Sequence, residues 1–248
     1  MNNLNAGIII IGDEVLSGRT QDTNSNFISK ELVKSGIDLH EIRVIKDNEK
    51  TIIDTVLDFK ERFMYVFTTG GIGPTHDDIT SESIAKAFKR KYCLSPDAYN
   101  ILEKYYIGKD FSKSRQKMAM MPENVDLILN PLTAAPGFII ENVYVLPGVP
   151  QILKVMFLNI IKNLKRGKPK KILTINTNLF ESVIANRLGV IQKNNQECTI
   201  GSYPYFNFSS KVGGVNLVIS SWTLESLDPI YEEIKSMITL LGGKYSIV

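Results

Sequence analysis

Two cysteines, two histidines and one tryptophan in 248 residues leave several kinds of protein out of reach. Cys93 and Cys198 are too few for a disulfide framework and have no zinc-site spacing, so free thiols and a reducing, cytoplasmic compartment are expected. His40 lies in a strand pattern with no acid or cysteine at ligand spacing. No Ser/His/Asp arrangement can be assembled either. Long hydrophobic runs are missing: Ala6–Ile11 is too short for a secretory core, and the apolar helix pattern Ile152–Leu164 is broken by Lys154, Asn159, Lys162 and Asn163. Neither a targeting segment nor a membrane partner is expected. Charge of one sign is not concentrated anywhere; 29 Lys+Arg stand against 26 Asp+Glu, a net +3. No nucleic-acid partner is expected from that balance.

What is present is an ordinary folded composition, 44% hydrophobic and 22% charged, of a length suited to one large domain or two unequal ones. The first half alternates strand and helix patterns. Ala6–Ile11, Ile37–Ile45 and Phe63–Thr69 read as strands; helices start near Thr23/Asn24, Asn48 and Thr80, the last with Thr80 as N-cap. This order predicts right-handed crossovers and a mainly parallel sheet in an α/β domain. Ser95-Pro96-Asp97 opens another helix, Gly108–Lys117 is a polar, basic stretch, and Val125–Leu129, Gly137–Ile140 and Val143–Leu146 read as short strands. The charged stretch around Lys165–Lys171 marks a boundary between domains 1–166 and 170–248. The second is predicted to be a small α+β domain, in the order strand, helix, two strands around a Gly213-Gly214 turn, helix, strand.

Ligands of open α/β sheets bind beyond the carboxyl ends of the strands, which points to Gly12–Asp22, Lys46–Asn48 and Gly70–Asp78. In Thr69-Gly70-Gly71-Ile72-Gly73-Pro74-Thr75-His76-Asp77-Asp78-Ile79-Thr80, glycines follow a buried strand and precede a helix, a combination able to cradle phosphate. Two adjacent acids there would repel phosphate unless a divalent metal intervenes, or else they are spent on capping. The loop is neither a Walker A nor a G-x-G-x-x-G motif. Arg115 and Lys117 are candidates to neutralise phosphate or form a solvated basic surface. Asp22-Thr23-Asn24 reads as an N-cap lining the pocket, Leu146–Pro150 as a pocket wall or a turn, and Tyr203 and Tyr205–Phe208 as core or as rings able to stack on an aromatic ligand, core packing being preferred.

Ile11-Gly12-Asp13-Glu14-Val15-Leu16-Ser17-Gly18, Gln21-Asp22-Thr23-Asn24, the Gly70 loop, Ala135-Pro136-Gly137-Phe138 and Leu146-Pro147-Gly148-Val149-Pro150 together resemble the molybdopterin-binding-like (MoaB/Mog) superfamily. The likeness is to CinA-type N-terminal domains and, equally, to the corresponding domain of eukaryotic FAD synthase. Glu181-Ser182 and Gly201-Ser202-Tyr203-Pro204 resemble the small KH-like second half of those proteins. The resemblance implies a three-layer MoaB/Mog-like domain followed by that small domain. It also implies a pyrophosphatase that splits an adenosine diphosphate compound, of the FAD or ADP-ribose type, into AMP and a phosphate ester. The alternatives are molybdopterin binding or adenylyl transfer in molybdenum-cofactor assembly, and non-catalytic nucleotide binding.

By the same resemblance, Asp47 and Asp78 are the expected catalytic acids, and Asp13 and Asp77 the expected ligands of a divalent Mg, Mn or Co ion. Gly12, Asp22, Asn24, Gly70, Gly71, Gly73, Thr75, Arg115, Lys117 and Gly148 are the expected contacts to a small-molecule nucleotide. A homo-oligomer is expected. No deamidase-type or FMN adenylyltransferase-type sequence follows, so those activities are not expected.

Overall fold

Strand β1, Asn5–Ile11, is buried along nearly its whole length, and its side chains alternate between two separate cores. Ile9 and Ile11 pack with Ile52, Val56, Phe59 and Ile84, while Ala6, Ile8 and Ile10 pack with Ile28, Leu32, Met156 and Phe157. A strand buried on both faces is apolar at every position instead of every second one. That is why this run carries four consecutive isoleucines. The computed structural model describes residues 4–209 and 212–248, which divide into two compact units, Met1–Gly167 and Lys168–Val248.

In the first unit, β1 is the second strand of a six-stranded sheet. After it come α1 (Asp13–Leu16), α2 (Asn24–Lys34), β2 (Asp38–Ile45), α3 (Glu49–Arg62), β3 (Tyr65–Thr69), α4 (Thr80–Ala87), β4 (Tyr92–Leu94), α5 (Pro96–Tyr105), α6 (Lys113–Lys117), β5 (Met120–Pro122), β6 (Asp126–Ile128), β7 (Gly137–Ile140), β8 (Val143–Leu146) and α7 (Pro150–Ile160). Strand order is β2-β1-β3-β8-β7-β6. The pairs β1–β2, β1–β3 and β3–β8 are parallel, and β8–β7 and β7–β6 antiparallel. Residues of α3, α4 and α5 supply one core and those of α2 and α7 the other, giving three layers. Phe157 of α7 meets Phe27 and Phe67 edge-on, with ring centroids 6.1 and 5.2 Å away. The expected mainly parallel α/β sheet is present, with an antiparallel β7–β6 end.

Several local expectations differ. Gly12 is followed by the short helix α1, too brief to leave a periodic pattern. Ile79, not Thr80, is the N-cap of α4, and Thr80 is its first helical residue. The basic stretch ends in α6, and β4 and β5 form a separate two-stranded ribbon.

The second unit contains β9 (Lys171–Thr177), α8 (Glu181–Asn194), β10 (Thr199–Asn207), β11 (Val212–Ser221), α9 (Asp228–Leu240) and β12 (Tyr245–Ile247), an antiparallel four-stranded sheet ordered β10-β11-β9-β12. Ile184 and Leu188 of α8 and Ile234 and Ile238 of α9 close its core over Ile175, Val215 and Leu217. The Gly213-Gly214 pair is no turn; it lies inside β11 opposite Phe206 and Tyr205. A Cβ on Gly214 would sit 2.0 Å from the Thr177 carbonyl oxygen, so glycine here answers a close backbone approach. Tyr203 and Phe206 are about half exposed and Phe208 is 85% exposed. They are exposed residues on or just past β10, which is an edge of its sheet. No helix among the described residues is long and apolar enough to cross a membrane.

Candidate functional site

Parallel pairing of β1 with β2 and β3 brings three loops to one end of the sheet. Gly12 N–H donates to the Ile45 carbonyl at 3.1 Å, and the next amide, Asp13 N–H, donates to Asp47 Oδ2 at 3.0 Å. Asp47 Oδ1 lies 3.5 Å from where a Cβ on Gly71 would stand. Gly12, Asp47 and Gly71, distant in sequence, are thus neighbours.

From β3 the chain turns through Gly70 and Gly71, both at positive φ, into the loop that ends in α4. Thr80 N–H closes that loop on the Gly71 carbonyl at 2.9 Å. The N-terminus of α4 has no side-chain cap. Thr80 Oγ1 is buried beside Gly71 without a hydrogen-bond partner. Asp78 Oδ2 accepts Thr75 N–H at 2.8 Å, and the Thr75 hydroxyl lies 2.5 Å from both Asp77 Oδ1 and Asp78 Oδ2. Asp78 Oδ1 has no hydrogen bond among the described residues.

Around this loop lies a pocket of about 440 Å³. Gly70, Gly71, Gly73, Asp78 and Gly148 line it, together with Glu14, Asn130, Thr133 and an apolar wall of Ile72, Met118, Pro136, Val149 and Ile152. A cavity of about 50 Å³, lined in part by Asp22, Asn24 and Thr69, shares Glu14 and Gly148 with it. The Asp22 carboxylate is occupied in starting α2, taking Asn24 N–H at 2.9 Å, Ser25 N–H at 3.1 Å and the Ser25 hydroxyl. Asn24 Nδ2 donates to Gly148 O at 2.7 Å and Thr69 Oγ1 at 3.0 Å, tying the β8–α7 turn to β3.

Three expected contacts sit differently from a ligand shell. Asp13 contributes its amide to Asp47, and the acid lining the pocket is its neighbour Glu14. Arg115 covers the Tyr106 ring at 4.7 Å and bonds the Asp110 carbonyl, away from the pocket lining. Lys117 donates to the carbonyls of Thr75 and Asp78. Sequence reasoning overlooked Asn130 and Thr133, which lie just upstream of the Ala135–Phe138 motif; the Asn130-Pro131 turn signal was the available hint.

The carboxyl of Asp47 is held above its ordinary range, first by burial and then by the charges of Asp13, Glu14 and Asp77. That of Asp77 is held below its range, chiefly by the Thr75 hydroxyl. Among the described residues, no group of three or more His, Cys, Asp or Glu is arranged to hold a metal by itself. Because its folded-state pKa is raised, Asp47 penalises the fold once pH exceeds that pKa. Below the model-compound value of 3.8 the penalty is absent. Asp47→Asn keeps an oxygen for Asp13 N–H and removes the charge. It is expected to raise the Tm of chelator-treated protein at pH 7, a gain that fades as pH falls toward 4. Thermal melts of both proteins across pH check this, and a lower Tm for the variant at pH 7 would contradict it.

A glycine loop leaving a parallel strand toward an uncapped helix, with acids beside it, defines an α/β domain of the MoaB/Mog kind with a pocket at that loop. The chain belongs to that family: residues 7–166 match the family described as "Probable molybdopterin binding domain", and residues 172–241 match "FAD synthase, middle domain". A protein of Archaeoglobus fulgidus is 36% identical over 197 residues, 79% of this chain and 84% of its own. A competence-damage inducible protein of Clostridium botulinum is 36% identical over 214 residues; these are 81% of this chain and 51% of that one, so the chain spans about half of that relative. Among solved structures, the CinA protein of Thermoplasma acidophilum, titled as of unknown function, aligns with TM-score 0.61 and 33% identity over 66% of this chain and 99% of its own. The chain is therefore CinA-like.

Proposed function

We propose that the chain is a divalent-metal-dependent pyrophosphatase acting on an adenosine diphosphate compound of the FAD or ADP-ribose type, releasing AMP and a phosphate ester. One observation carries this reading: the glycine loop Gly70–Gly73 and the acids Glu14 and Asp78 line one pocket, whose lining residues include no Lys or Arg. A bare diphosphate would be repelled by those carboxylates, so it would enter with a cation. Amides of Gly71–Gly73 would hold its oxygens, and the apolar wall of Met118, Pro136 and Ile152 would take a flat heterocycle.

The metal, held by Asp13, Asp47 or Asp77 and by phosphate oxygens, would neutralise charge on the phosphoryl group and acidify water. Asp78 is held by Thr75 through Oδ2, which leaves Oδ1 to accept a proton from the water that attacks phosphorus as the bridging P–O bond breaks. The apolar wall excludes bulk water from the heterocycle side.

The test is incubation of purified protein with FAD, ADP-ribose and molybdopterin, with and without Mg²⁺ or Co²⁺. AMP with FMN or ribose 5-phosphate, formed only with metal, is the expected result. No AMP from any nucleotide with any metal would overturn it, and binding or adenylylation of molybdopterin would favour a role in molybdenum-cofactor assembly.

A further inference from the structure

We propose that Lys117 is a positioning residue, a staple that closes the acid-bearing loop and thereby aims Asp78, and that it does not hold phosphate. Its Nζ donates to the Thr75 carbonyl and, at 3.1 Å, to the Asp78 carbonyl. Those two oxygens bracket the turn through His76 and Asp77. Across the same turn, from inside, Thr75 N–H bonds Asp78 Oδ2 at 2.8 Å. The loop is thus closed twice, by its own amide and by an ammonium from α6. Two of that ammonium's three donors are committed to carbonyls.

The loop has reason to need the tie. Pro74 to Asp77 are exposed, two acids stand side by side, and few apolar contacts hold such a segment. Its anchor is firm. Gln116 Nε2 donates to the Phe111 carbonyl at 2.9 Å, and the Phe111 and Tyr106 rings stack with centroids 5.4 Å apart. The Arg115 guanidinium covers the other partner of that stack, 4.7 Å from the Tyr106 ring centre. Platform, α6 and Lys117 therefore form one chain of contacts ending at Asp78, and a displacement of about 1 Å at a reacting group costs up to about a hundredfold in rate.

The proposal rests on the pyrophosphatase reading only for its kinetic arm. The first arm is hydrogen–deuterium exchange over residues 72–80 of the ligand-free protein, comparing wild type with Lys117→Met and Lys117→Gln. Exchange should quicken by roughly tenfold in that segment, the effect of losing about one net hydrogen bond's stabilisation, with no change over β1. In the second arm kcat falls about 10- to 100-fold, KM for the nucleotide stays within about threefold, and Lys117→Arg restores most of the rate and the protection. Unchanged exchange over 72–80 in either folded variant overturns the staple. So does a KM raised more than about tenfold with kcat kept, which would make Lys117 a phosphate ligand. Should wild type hydrolyse nothing, the function proposed above fails, while the exchange arm still decides on the staple.

Discussion

Asp78→Asn is expected to lower metal-dependent hydrolysis by about two or more orders of magnitude, the scale of losing a principal electrostatic contributor, while leaving nucleotide binding in place. Asp78 has two separable tasks. Its Oδ2 closes the loop by accepting Thr75 N–H, and an Asn oxygen can do the same. Asp78 lines the pocket and its other oxygen has no hydrogen bond among the described residues; only a carboxylate there could take a proton from attacking water or steady a cation. In the proposed mode, phosphate oxygens would be held by backbone amides, which the substitution does not touch. The measurements are initial rates, nucleotide affinity and Tm on the same preparations. Full activity with unaltered metal dependence would show that the carboxylate serves only to shape the loop.

The largest effect on stability is expected at Gly70. Its φ is +110°, a conformation essentially reserved for glycine. A Cβ there would stand 2.0 Å from the Ile11 carbonyl oxygen, a backbone atom at the end of β1, a strand paired on both sides, that cannot step aside. Backbone strain and the clash add, so Gly70→Ala should cost about 3 kcal/mol or more. Urea titration should show a midpoint shift without a change in slope. A variant as stable as wild type would mean that the β3 turn can relax away from β1, and would weaken the argument that this turn is a rigid cradle.

The fold was legible where burial imposes a pattern that local sequence must obey. Four consecutive isoleucines in β1 can be satisfied only by a strand covered on both sides. The glycines after β3 signal a backbone conformation other residues resist. Gly213 and Gly214 misled because glycine marks a turn and a close backbone contact alike; only the Thr177 carbonyl, some 37 positions earlier in the chain, separates the two. The aromatics of β10 misled because an edge strand has the composition of an inner one.

Side-chain partners were a different matter. Asp13 and Glu14 are adjacent acids, and nothing in their order says that the first offers an amide to Asp47 and the second faces the pocket. Lys117 and Arg115 look alike as basic residues near a phosphate loop. Yet one binds two carbonyls of that loop and the other lies flat on Tyr106. The sequence by itself determined the class of fold, the glycine cradle and the acids around it, since periodicity, caps and glycine conformations act within a few residues. Only the tertiary structure decided which oxygens each acid and cation meets, because hydrogen-bond partners must lie within about 3 Å, and that proximity is set by β1 pairing with both β2 and β3.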